Sequence, residues 1–100
     1  MKSGIEQIAE ERKRQVEVEG WTPEHDDDHW RGELAEAAAC YALGKKEIKE
    51  SYGGYGEIKI TIPIWPFEDK WWKPTPKDRI KELIKAGALI AAEIDRLQNK

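Results

Sequence analysis

Eight acidic side chains fall between positions 17 and 36: Glu17, Glu19, Glu24, Asp26, Asp27, Asp28, Glu33 and Glu36, against the single base Arg31. Trp21 and Trp30 flank the densest part. The whole chain carries a formal charge of −3, so the residues outside this stretch are net basic. An array of this kind can attract a basic protein surface, hold a metal ion, or stand as a solvated loop.

The run His25-Asp26-Asp27-Asp28-His29 has two imidazoles four residues apart with carboxylates between, a spacing that puts both rings on one face of a helix. It falls, however, where a loop and a helix start are expected. No third soft ligand follows at a characteristic distance. Capping and solvation account for these residues, and neither a metal nor a cofactor is assigned.

Glu33-Leu34-Ala35-Glu36 on an alanine-rich helix resembles the first carboxylate motif of the all-α, MazG-like nucleotide pyrophosphohydrolases. Those enzymes need a further Glu-x-x-Asp, because several carboxylates must converge on magnesium to neutralise phosphates. The best-placed match is Glu82 to Lys85, with a lysine where the aspartate belongs. Glu93 and Asp95 are two apart and point to different faces. Nucleophilic catalysis is weaker still. Cys40 lies in an alanine run without electropositive surroundings, and neither histidine has an orienting partner.

Protein recognition remains. Carboxylates repeated along a loop and helix start present charge much as a phosphate backbone does, and compete for surfaces built from lysine and arginine. Tryptophan is over-represented among binding hot spots. The candidate partner-binding residues are therefore Glu19, Trp21, Glu24, Asp26, Asp27, Asp28, Trp30 and Glu33. No catalytic residue is assigned.

Three helices must position these groups. Ser3 to Glu6 reads as a capping box opening a helix to about Val18, with Ile5, Ile8, Ala9 and Val16 inward and Gly20 as its stop. Asp28 is expected to cap a second helix carrying Leu34, Ala37, Ala38 and Tyr41 on one face and ending at Gly44. Ile58, Ile60, Ile62 and Ile64 alternate with Lys59, Thr61 and Pro63, the period of a half-buried strand. A turn through 53–56 would join that strand to an opposing one over 47–52. The isoleucines should cover the helices, leaving Lys59 and Thr61 in water.

An aromatic connection, Trp65 through Pro74, leads to a last helix that Thr75 should cap, with Pro76 at its first position. Ile80, Leu83, Ile84, Gly87, Ile90, Ala91, Ile94 and Leu97 form its apolar stripe, which is expected to pack on Leu34, Ala38 and Tyr41. The sum is one α+β domain over residues 1–100: three helices, a small β-hairpin and an aromatic connecting segment.

Composition sets limits. One hundred residues make a single core, and 39 % hydrophobic with 37 % charged content suits a mainly helical protein with solvated outer faces. A lone cysteine excludes an intramolecular disulfide and is expected to be a small core residue. No apolar stretch approaches a membrane span and no signal-peptide core begins the chain, so a cytoplasmic protein is expected. The acidic balance argues against direct nucleic-acid binding.

The stretches 8–15, 19–27 and 32–42, and the pairing of Trp71-Trp72-Lys73-Pro74 with the closing 83–97, resemble a family of small phage and prophage proteins, some of them MazG-like. Within that group the chain is similar to the sixth family of type I-F anti-CRISPR proteins. The resemblance implies a non-enzymatic inhibitor acting in the host bacterial cell. It would bind the type I-F surveillance complex at the junction of the large subunit and the adjacent backbone subunit and compete with target DNA. Such complexes hold DNA through basic channels, so an acidic face is a physically sensible tool.

Overall fold

The computed structural model describes residues 1–22, 32–53 and 58–98, and within 48–52 and 58–63 it describes the backbone alone. The expected turn at 54–56 and the inward or outward placement of Ile58, Lys59, Ile60, Thr61 and Ile62 therefore lie outside the description.

Helix α1 runs Gly4–Glu17. The Ser3 hydroxyl accepts the Glu6 N–H at 3.2 Å and donates to the Glu6 carboxylate at the same distance, which satisfies one of the orphan amides of the first turn. Its inward face differs from the expected one: Ile5 and Ala9 are exposed, and Gln15 is the residue that α1 buries. Helix α2 spans Glu33–Leu43, with Gly32 rather than Asp28 as its N-cap and Gly44 ending it in the left-handed region at φ 75°. Leu34, Ala37, Ala38 and Tyr41 are buried, as the apolar spacing requires, and so is Cys40.

Helix α3 covers Arg79–Gln98. Thr75 was expected to cap it, but the Asp78 carboxylate does so, accepting the Lys81 N–H at 3.1 Å, while Thr75 to Asp78 forms a preceding turn. The larger correction concerns its face. Ala86, Ala88, Leu89 and Ala92 are buried, whereas Ile80, Leu83, Ile90, Ile94 and Leu97 are exposed. The helix packs on α2, but through its small residues. Alanines on both partners let the backbones approach, and Leu89 fills the middle of the seam beside Leu34 and Tyr41. Glu82 and Arg96 are buried on the same side as these alanines. α1 packs on α3 as well, crossing it at Gly87, where Ile8 fills the space a Cβ would take.

Strand β1, Glu47–Tyr52, pairs antiparallel with β2, Ile58–Pro63, in a register that sets Ile48 opposite Ile62, Glu50 opposite Ile60 and Tyr52 opposite Ile58. The α+β class does not stand. Among the described residues the folded body is all-helical, α1 and α2 both packed on α3. The two-stranded ribbon pairs chiefly with itself and forms no layer of that body. A two-stranded ribbon cannot supply a second core of its own. The chain then returns through Trp65, Phe67 and a short 3-10 turn at Asp69–Trp71 to cover the outer edge of Tyr41.

Candidate functional site

The acidic stretch leaves α1 at a tight exit. Gly20, at φ 75°, turns the chain back so that the Trp21 N–H reaches the Gln15 carbonyl at 2.9 Å. Arg12 Nη1 donates to the Trp21 carbonyl at 3.1 Å, pinning the same peptide from the other side. Trp21 is half-buried against the core cluster. Its ring lines a cleft of about 500 Å³ together with Leu34, Phe67, Trp71, Glu19 and Glu68. The cleft thus joins the two described ends of the acidic stretch, Trp21 and Leu34, to the aromatic connection.

Glu19 is not an uncommitted charge. Arg14 Nη1 donates to its Oε1 at 3.2 Å, and Lys73 Nζ lies 3.4 Å from its Oε2. Arg14 is held in turn by two bonds to Glu11, at 2.6 and 2.9 Å, the bidentate geometry that suits a guanidinium. Burial pushes the Glu19 carboxyl up. The hydrogen bonds from Arg14 and Lys73 and their positive charge outweigh that and hold it below the ordinary glutamate range. Glu33 is half-buried in the first turn of α2 and has an interaction partner; Glu36 is exposed. Both sit where the helix dipole favours acids.

Tyr41 organises the wall behind the cleft. Its hydroxyl accepts the Lys73 N–H at 3.2 Å and donates to the Trp71 carbonyl at 3.5 Å. Its ring meets Trp65 edge-on at 5.6 Å and Trp72 at 4.9 Å, and Phe67 continues the cluster at 5.6 Å from Trp65. Lys85 Nζ donates to the Lys73 carbonyl at 2.8 Å and stands 5.4 Å from the Tyr41 ring centre. Burial lowers its ammonium below the usual lysine range and raises the Tyr41 phenol above that of a free tyrosine.

The carboxylates considered for magnesium do not come together in this arrangement. Glu82 is 1 % exposed and occupied. Its Oε1 accepts Arg79 Nη1 at 2.8 Å and its Oε2 accepts the Thr75 N–H at 3.2 Å. Arg79 also bonds the Tyr41 and Ala42 carbonyls, so the pair closes the C-terminus of α2. Glu93 is paired with Arg96. Among the described residues no three His, Cys, Asp or Glu side chains are grouped to hold a metal ion. Cys40 is buried, and burial together with Glu36 raises its thiol above the usual range, the opposite of an activated nucleophile.

Of the candidate partner-binding residues, the structure places Glu19 and Trp21 on the cleft and Glu33 in the first turn of α2, before the cleft residue Leu34. Glu24, Asp26, Asp27, Asp28 and Trp30 lie outside the described residues, as do His25 and His29. Sequence reasoning missed Arg14 and Lys73 as the bases that match Glu19, and Phe67 and Glu68 as cleft walls. Lys73 is 54 positions from Glu19, and no local spacing announces such a pair. Among the described residues no helix is long and apolar enough to cross a membrane. No family model, curated protein or solved structure matches this chain.

Proposed function

We propose that the protein is a non-enzymatic, stoichiometric inhibitor that binds a type I-F CRISPR surveillance complex through its acidic stretch and keeps target DNA out, acting in the host bacterial cytoplasm. The observation that carries this reading is the concentration of eight acids against one base between positions 17 and 36. Both described ends of that stretch sit on one aromatic-walled cleft. Its partners are the large subunit and the adjacent backbone subunit, whose DNA-holding surfaces must be basic. Because Glu19 is matched internally by Arg14 and Lys73, its own charge contributes least. Asp26, Asp27 and Asp28 carry the electrostatic part, with Trp21 and Trp30 as apolar anchors. Affinity capture from a lysate containing the type I-F complex tests it. Recovery of that complex by wild type, weakened at high salt, supports the reading; no recovery at low salt overturns it.

A divergent all-α nucleotide pyrophosphohydrolase agrees better with the helical class. Against it stands Glu82, the one carboxylate available from the second motif, which is buried and held by the half-exposed Arg79. Pyrophosphate release in catalytic amounts from deoxynucleotide triphosphates and magnesium would reverse this ranking.

A further inference from the structure

Residues 66–73 carry one side of the cleft. Phe67, Glu68 and Trp71 stand on this segment, whereas Glu19, Trp21 and Leu34 stand on the helical body. The segment is fixed at both ends. The Trp65 N–H donates to the Lys46 carbonyl at 3.1 Å, and the Thr75 N–H donates to the Glu82 carboxylate at 3.2 Å. Between those points the chain forms the 3-10 turn alone. Its bonds there are local: the Trp71 and Trp72 N–H groups donate to the Glu68 and Asp69 carbonyls, both at 3.0 Å. Such bonds join the segment to itself, so that it moves as a piece.

Lys73 is where the segment meets the body. The Tyr41 hydroxyl, from α2, accepts its N–H at 3.2 Å, and the Lys85 ammonium, from α3, donates to its carbonyl at 2.8 Å. Its own ammonium lies 3.4 Å from Glu19 Oε2, beyond the end of α1. One residue is thus held from three directions. Every one of these ties is made by a side chain of the body, so none belongs to a helix ladder. The helices can lose them and remain helices. Packing of Trp72 on Tyr41, with 4.9 Å between ring centres, adds burial to the closed arrangement.

Regions tied down by a few contacts open at a lower free energy than helices packed in a core. We infer that residues 66–73 form a strap that opens and closes as one unit on hinges at Trp65 and Thr75, latched at Lys73 by Tyr41 and Lys85. The structure shows the closed state. Opening carries Phe67, Glu68 and Trp71 away from Trp21 and Leu34, and so widens the cleft. This motion does not depend on the protein being an inhibitor.

Residue-resolved amide hydrogen exchange of the full chain, followed by NMR at low denaturant concentrations, is the test. In wild type the Trp71 and Trp72 amides should share one level of protection, lower than that of the buried Leu89 amide. Their exchange should also respond less to denaturant, because opening a strap exposes less surface than unfolding the chain. Tyr41→Phe/Lys85→Met keeps the ring and the lysine stem but removes both ties to the Lys73 main chain. It should speed exchange at Trp71 and Trp72 about tenfold or more, although neither amide bonds a substituted side chain. Lys85→Met alone, at a half-exposed position that leaves the Tyr41 hydroxyl in place, should shift both in the same direction. Acceleration confined to the Lys73 amide would overturn the latch, since it reports only the lost acceptor. Trp71 and Trp72 amides as protected and as denaturant-sensitive as Leu89 would overturn the strap, since the segment would then open only with the whole protein.

Discussion

A Cβ added at Gly87 would lie 2.6 Å from Ile8 Cδ1 and 2.8 Å from its Cγ1, so α1 and α3 meet at a point where a larger residue fits only if Ile8 shifts. Alanine in a helix interior is worth up to about 1 kcal/mol over glycine, whereas overpacking costs about 1–3 kcal/mol. Gly87→Ala should therefore lower the melting temperature despite its better helix propensity. Adding Ile8→Ala should recover part of the loss, because the clash disappears with the side chain. A higher melting temperature for Gly87→Ala alone would mean that Ile8 moves aside freely.

The two faces of α3 should respond oppositely to truncation. Leu89 is fully buried against the α2 seam, so Leu89→Ala should cost about 2–5 kcal/mol. Leu83 is 50 % exposed, and Leu83→Ala should change stability by about 0.5 kcal/mol or less. Chemical denaturation of both variants checks this. Equal losses would mean that the stripe, rather than the alanine face, carries the core.

This reversal marks where the sequence stopped being informative. The α2 face was legible because its large and small apolar residues fall on one side, and Gly44 and Ser3 announced a stop and a start through their own chemistry. In α3 the periodicity fits two faces. The sequence favours the isoleucine stripe, but the choice depends on how closely Ala37 and Ala38 allow a second helix to approach. Burial of Glu82 and Gln15 was invisible for a related reason: Arg79 and Glu11 stand three and four residues away on the same helices, the spacing of an ordinary surface pair, and only the Thr75 amide on Glu82 depends on the folded chain. The α+β class failed because strand periodicity predicts local pairing and not whether the ribbon joins a core. At the site, Trp21 beside the acids could be read directly, but the neutralisation of Glu19 by Lys73 could not.

The Glu82 carboxylate holds Arg79 and the Thr75 amide from a buried position. Glu82→Ala should cost about 1–3 kcal/mol, because the Thr75 amide loses its acceptor while the half-exposed Arg79 keeps water and the Tyr41 and Ala42 carbonyls. At about 4–8 °C per kcal/mol for a chain of this size, thermal melting will register it readily. An unchanged melting temperature would show that water replaces the carboxylate at no cost.

Glu19 predicts an acid limb. Its folded pKa is depressed, so the stability it contributes is fully present above the unfolded value of about 4.5 and is lost as pH falls through the lower folded value. Glu19→Gln should be less stable than wild type at neutral pH, with the gap closing below about pH 4.5 as the wild-type carboxylate takes up its proton. Denaturation midpoints measured from pH 7 to 3 check the sign. A gap that stays constant across that range would show that the Arg14 and Lys73 contacts do not hold the charge.

Target-DNA capture by a purified type I-F surveillance complex tests the central claim most directly. It should be titrated with wild-type protein and with an Asp26→Lys/Asp27→Lys double variant, both shown to be folded by circular dichroism. Wild type should abolish capture at stoichiometric amounts, and the variant should need a large excess. The difference should shrink at high ionic strength, where the Debye length falls from about 10 Å at 0.1 M to about 3 Å at 1 M. Equal inhibition by the two proteins, or none by wild type, would contradict the assignment of the acidic stretch as the inhibitory surface.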